Sequence, residues 1–160
     1  MNIEGQDRIK LNVRVKEIMT VDPVSIDVNA TLEYAAKGME NSGCGCVLAE
    51  HGGKIVGIIT ERDIVRRVAA KGLRLRTTRV RAVMSSPLIV IGPDATIEEA
   101  LRLMANRRIR RLPVVEGNEL EGVVSLVDIA SALADKAGFL SDFIQAFTRQ
   151  SSEHYESWYA

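Results

Sequence analysis

Two stretches of the chain, GIITERDI at residues 57–64 and GVVSLVDI at residues 122–129, lie 65 residues apart and share one pattern. Each is a glycine and a short apolar run that ends in a hydroxyl, Thr60 or Ser125, with an aspartate three residues on, Asp63 or Asp128. The same offset carries Met19 to Met84 and Ala30-Thr31 to Ala95-Thr96. Pro23 and Pro87 differ by one residue of register, which an extra residue before Asp94 restores. A chain that repeats itself at this period must be built from two copies of one unit, and no fold that ignores the repeat is admissible.

Each copy has the same local grammar. A proline and a β-branched run, VSIDV or LIVI, predict a short strand. Thr31 and Thr96 suit helix N-caps, and Thr96 with Glu99 predicts a capping box. Leu32, Ala35, Ala36 and Met39 recur at helical spacing, as do Ile97, Ala100, Leu101 and Met104. Next come a strand (CVLAE, LPVVE), a turn (HGGK, GNEL) and another strand (IVGIIT, LEGVVS), after which Asp63 and Asp128 open a second helix. The fold class is therefore α+β, a β-α-β-β-α unit written twice. One copy is too small to bury both faces of its sheet, so the two are expected to pack sheet to sheet.

The doubled pattern "IMT..P…AT…LPVV…G…GVVS..DI" resembles a tandem pair of CBS domains, the regulatory module named after cystathionine beta-synthase. The resemblance gives an N-terminal segment 1–14, a first domain 15–71, an Arg-rich linker 72–79, a second domain 80–135 and a C-terminal helical tail 136–160. With no catalytic domain accompanying the pair, it is identified as a stand-alone CBS-pair protein. The resemblance implies a pseudo-twofold pair with clefts between the repeats that hold AMP, ADP, ATP or S-adenosylmethionine. Carried over residue by residue, Asp63 and Asp128 hold ribose hydroxyls, and Thr60 and Ser125 lie beside the phosphates. Thr20 and Ser85 face the cleft shared with the other repeat; Val24, Leu88, Cys44 and Ile109 wall the base; Arg110 and Arg111 reach phosphate.

The chemistry is sound. A ribose offers two adjacent hydroxyl donors, and a carboxylate accepts from both through charge-assisted bonds. An aspartate at a helix start also caps, at about 1 kcal/mol, so each acid is read as a cap, a ligand contact or both. Its recurrence in both copies favours the contact. The arginines are unequally shared: the second copy has NRRIRRLPVV where the first has NSGCGCVLAE. A fork of arginines suits a phosphate, which points to a charged nucleotide.

Other classes fit less well. The formal net charge is zero, so no global field draws the chain to nucleic acid. The Arg-rich stretch 66–81 and the RRIRR segment keep a nucleic-acid binder as the alternative, but no aromatic residue lies among them for base stacking. There is no nucleophile–base pair, P-loop or metal constellation, so no enzyme is expected. Cys44 and Cys46, two apart on one strand and on opposite sides of their shared neighbour, are expected to form no disulfide and to be small core residues. No apolar run is long enough to span a bilayer, and the polar start lacks a signal peptide, so the expected location is cytoplasmic.

Two expectations concern partners. The second helices, DIVRRVAA and DIASALAD, are small and apolar enough to pack as a homodimer, the assembly that the resemblance also implies. Phe139, Leu140, Phe143, Ile144 and Phe147 share one helical face, with Tyr155, Trp158 and Tyr159 beyond. That stripe covers the module's own end, a second subunit or a separate effector protein.

Overall fold

The computed structural model describes residues 13–137. The aromatic tail and the first twelve residues lie outside the described residues. In chain order the elements are β1 (Thr20–Val21), β2 (Ser25–Asp27), α1 (Leu32–Ser42), β3 (Cys46–His51), β4 (Lys54–Thr60), α2 (Glu61–Asp63), α3 (Ile97–Arg107), β5 (Arg111–Glu116), β6 (Glu119–Ser125) and α4 (Leu126–Ala137). Helix α2 runs on without a break through a π-helical turn (Ile64–Val68) and a 3-10 turn (Ala69–Lys71). Two three-stranded sheets result, in the orders β2-β3-β4 and β1-β6-β5. The class is α+β, as the periodicity requires.

Both long helices start where a threonine stands. The Thr31 side chain accepts from the Tyr34 N–H, and the Thr96 side chain from the Glu99 N–H. Glu99 returns the favour by accepting the Thr96 N–H at 2.7 Å, which closes the predicted box. These bonds hold the Glu99 carboxyl below the usual carboxylate range. The helices end in left-handed residues, Gly43 at φ 62° and Arg108 at φ 54°. Glycine adopts this conformation without a Cβ penalty, whereas the second copy places an arginine there.

The chain groups into two compact units that do not coincide with the two copies. One holds residues 20–90 with 117–122; the other holds 13–19, 91–116 and 123–137. In the first unit, Val80 N–H donates to the Ala30 carbonyl at 2.9 Å, Arg81 N–H to the Val28 carbonyl at 3.0 Å, and Leu32 N–H to the Thr78 carbonyl at 2.9 Å. In the other, Val15 N–H donates to the Ala95 carbonyl at 2.9 Å, and Ile97 N–H to the Val13 carbonyl at 3.2 Å. The 3-10 turns Val15–Glu17 and Val80–Ala82 thus occupy matching places. Each, however, completes the core of the copy it does not begin. Periodicity reveals that a segment recurs, not which copy it packs against.

The core of the first unit is Ile26, Val28, Leu32, Ala35, Met39, Val47, Ala49, Ile59, Val68, Val80 and Val83, all buried. Its counterparts Ile91, Ile97, Ala100, Met104, Leu112, Val114, Val124 and Val15 are buried in the other unit. The LIVI run departs from the expected strand. Of it only Ile91 bridges, to Val114, whereas β2 pairs in parallel with β3 over three residues. The cause is Pro113. In the first copy, Leu48 N–H donates to the Val24 carbonyl at 2.9 Å; the residue at the matching place is a proline, which has no N–H to give.

Gly57 is buried where the Ser85 and Ile58 backbones meet. A Cβ there would stand 2.6 Å from Met84 Sδ and 3.1 Å from the Ser85 carbonyl oxygen. The methionine can yield, but the Ser85 carbonyl is held by the Ile58 N–H at 3.1 Å. Gly57→Ala is therefore expected to destabilise the fold by about 1–3 kcal/mol, the usual cost of overpacking. A thermal melt checks this, and an unchanged or raised midpoint would show that the crossing has room.

Candidate functional site

The hydroxyl–aspartate pattern forms a capping box in both copies. Thr60 and Ser125 end β4 and β6, and the helix follows at once. The aspartates do not open the helix, as expected from the sequence, but sit at its third position. The hydroxyl is the cap, and the carboxylate reaches back to the N–H of the capping residue. In the first copy, Asp63 N–H donates to Thr60 Oγ1 at 3.3 Å, and Thr60 N–H to Asp63 Oδ2 at 2.9 Å. In the second, Asp128 N–H donates to Ser125 Oγ at 3.2 Å, and Ser125 N–H to Asp128 Oδ2 at 2.7 Å. A capping box satisfies two backbone donors that a helix start leaves without partners, which is why the spacing of three recurs.

Beyond that shared frame the boxes differ. Thr60 Oγ1 also donates to Asp63 Oδ2 at 2.7 Å. The Arg67 Nε lies 3.2 Å from Asp63 Oδ1, and its Nη1 donates to the Val83 carbonyl at 2.7 Å. Asp63 is buried, with 8% of its surface exposed. Arg67 stands one helical turn after Asp63; the residue one turn after Asp128 is Ala132. Asp128 is half-buried, and among the described residues its carboxylate accepts only the Ser125 N–H. Arg67 was not among the residues expected at the site. The signal was present: an acid and a base four apart on one helix are neighbours.

The other expected site residues fall as follows. Ser85 exchanges backbone hydrogen bonds with Ile58, at 2.8 and 3.1 Å, two residues before Thr60. Cys46 is the register partner of Thr60, and Glu61 N–H donates to the Gly45 carbonyl at 3.2 Å, so the segment with Cys44 lies alongside the first box. Val24 is half-buried against the core of that unit, Leu88 is half-buried, and Thr20 is exposed in β1. In the other unit, Leu126 N–H donates to the Arg110 carbonyl at 2.9 Å. That bond is the counterpart of the Glu61–Gly45 bond. It sets Arg110, exposed, next to the Ser125–Asp128 box, with half-buried Ile109 and Arg111 on either side in sequence. Where the first copy offers Gly45 and Cys46, the second offers Arg110 and Arg111.

The cysteines need a correction. Cys44 precedes β3 rather than lying in it, and residues two apart on a strand would in any case share one face. The two sulfurs lie 3.6 Å apart, with no disulfide between them. Cys46 is buried, as a small core residue should be. Among the described residues no group of three or more His, Cys, Asp or Glu side chains gathers as metal ligands. No helix among them is long and apolar enough to cross a membrane.

Two copies of one α+β unit, each ending a strand in a hydroxyl–carboxylate box at a helix start, define a tandem-repeat module. The CBS-domain family model matches residues 15–70 and 80–135, and the chain belongs to that family. It is 39% identical over 116 residues to the CBS domain-containing protein YhcV of Bacillus subtilis, covering 72% of this chain and 82% of that one. An uncharacterised Methanopyrus kandleri protein, MK0525, is 35% identical over 74% of this chain, which spans 61% of its length. Among solved structures, the hexameric CBS-CP12 protein from bloom-forming cyanobacteria superposes with a TM-score of 0.70 at 39% identity, covering 74% of this chain and 67% of that one.

Proposed function

We propose that this chain is a non-catalytic regulatory module that binds an adenosine-containing ligand (AMP, ADP, ATP or S-adenosylmethionine) at its hydroxyl–aspartate boxes. The observation that carries the reading is Asp128. Its carboxylate stands at a helix start with one of its oxygens uncommitted among the described residues, beside Ser125 and Arg110. A ribose diol meets a free acceptor there. A phosphate meets an arginine at a helix start, where the helix dipole favours negative charge. The same helix starts would serve a charged nucleotide better than a neutral nucleoside.

The alternative, a nucleic-acid binder, draws less support. Three arginines in and near the linker, though exposed, are engaged within the chain: Arg76 pairs with Glu33 at 3.2 Å, Arg79 donates to the Asn29 carbonyl at 2.9 Å, and Arg67 pairs with Asp63. Ligand binding is read out through subunit assembly or an effector protein. Val65 and Val127, on the second helices, are 63% and 57% exposed, which suits the homodimer expected from those helices.

A thermal-shift screen against AMP, ADP, ATP and S-adenosylmethionine tests the reading. A ligand at a hundred times its dissociation constant adds roughly 2.7 kcal/mol to the native state, so at least one is expected to raise the midpoint by several degrees. If none does, the ligand class is wrong. Light scattering on the same samples is expected to give a dimer; a 17.6 kDa monomer with and without ligand would remove the homodimer.

A further inference from the structure

We infer that Arg67 reserves binding for the second repeat: each chain takes one adenosine-containing ligand, at Asp128, because the matching carboxylate of the first repeat is already occupied from within. The inference rests on the proposed function and adds its stoichiometry.

An ionised carboxylate has about four lone-pair positions on its two oxygens. Asp63 has committed at least three. Oδ2 accepts the Thr60 N–H and the Thr60 hydroxyl, and Oδ1 faces the Arg67 Nε. A ribose diol needs two acceptors, and Asp63 has at most one to offer. Asp128 has committed one, to the Ser125 N–H, and keeps about three among the described residues. The hydroxyls differ in the same sense. Thr60 spends its proton on Asp63, whereas Ser125 accepts from Asp128 N–H and, among the described residues, donates to no carboxylate.

Arg67 is not easily displaced. Its Nη1 is bonded to the Val83 carbonyl at 2.7 Å while its Nε pairs with Asp63, so two groups of one unit fix it. Freeing the acid for a neutral ribose would leave a buried carboxylate without its counter-charge, which is strongly unfavourable. The second repeat has Ala132 in the place of Arg67, and among the described residues no cation pairs with Asp128. The arginines are also shared in a way that suits one site. The first repeat spends its arginine on its own acid. The second places Arg110 beside an acid that is open.

Titration calorimetry of the full chain with AMP, and separately with ATP, tests this. Wild type is expected to bind one nucleotide per chain. Arg67→Met, which keeps the aliphatic stem and removes the charge, is expected to add a second, weaker site for AMP, bringing the total to two per chain. Arg67→Gln serves as a second variant, and circular dichroism melts confirm that each protein is folded. Two nucleotides per wild-type chain, or a stoichiometry still at one in both folded Arg67 variants, would each overturn the inference while leaving the proposed ligand class standing. No heat with either nucleotide in any of the proteins, together with no thermal shift from any of the four ligands, would overturn both.

Discussion

Replacing Ile59 by alanine is expected to destabilise the protein by about 3 kcal/mol and to lower its melting midpoint by about 10 °C. Ile59 has no exposed surface and lies in the buried cluster of its unit, on the strand that ends at Thr60. Truncating a buried isoleucine costs about 2–5 kcal/mol, because the lost transfer free energy is joined by the cavity left behind. For a chain of this size each kcal/mol moves the midpoint by about 2–4 °C. Ile59→Val removes one methylene and should cost only about 0.5–1.5 kcal/mol. The neighbouring Ile58 is half-buried, so Ile58→Val is expected to cost less still. Calorimetric melts of the three variants give the order directly. If the alanine variant melts within about 2 °C of wild type, Ile59 is not at the centre of this core.

Much of this core could be read from the repeat. Leu32 and Ile97, Ala35 and Ala100, and Met39 and Met104 are each buried at matching places, as their helical spacing demands. The capping threonines and the strand pair of each copy were equally plain. What periodicity could not supply was the partner of each recurring segment. Val15 and Val80 are both fully buried, yet nothing in their sequence says that each completes the other copy. The LIVI run reads as a strand by composition. It stops short because of Pro113, a residue about twenty positions away that withholds one donor from the ladder.

The site was legible in its pattern and misread in its parts. A hydroxyl and an aspartate three apart are compatible with an aspartate cap or with a hydroxyl cap and a returning carboxylate. The structure has the second arrangement in both copies. The consequence is functional, because a carboxylate at the third position points one oxygen at the backbone and leaves the other to be claimed. Which group claims it is decided four residues on, by Arg67 in one copy and Ala132 in the other. A comparison of the copies for the differences between them, rather than for their likeness, would have found it.

The sharpest test of the acid in the second copy is a pair of substitutions. Asp128→Ala is expected to weaken nucleotide binding by roughly 10- to 100-fold, since hydrogen bonds to a charged group contribute about 1.5–3 kcal/mol and about 1.4 kcal/mol is tenfold. The same change also removes the acceptor of the Ser125 N–H, at about 1 kcal/mol of stability. A loss of binding could then reflect a frayed helix start. Asp128→Asn separates the two effects. The amide oxygen can still accept the Ser125 N–H, so the box closes and the melting midpoint stays near that of wild type. The charge is gone, however, and the atom facing the ribose diol becomes an NH2 group that donates where an acceptor is needed. Asp128→Asn is therefore expected to melt like wild type and to bind about as poorly as Asp128→Ala, with both affinities read by calorimetry under one set of conditions. If the asparagine protein binds AMP and ATP as well as wild type does, Asp128 is a helix cap and nothing more, and the ribose contact must be sought elsewhere.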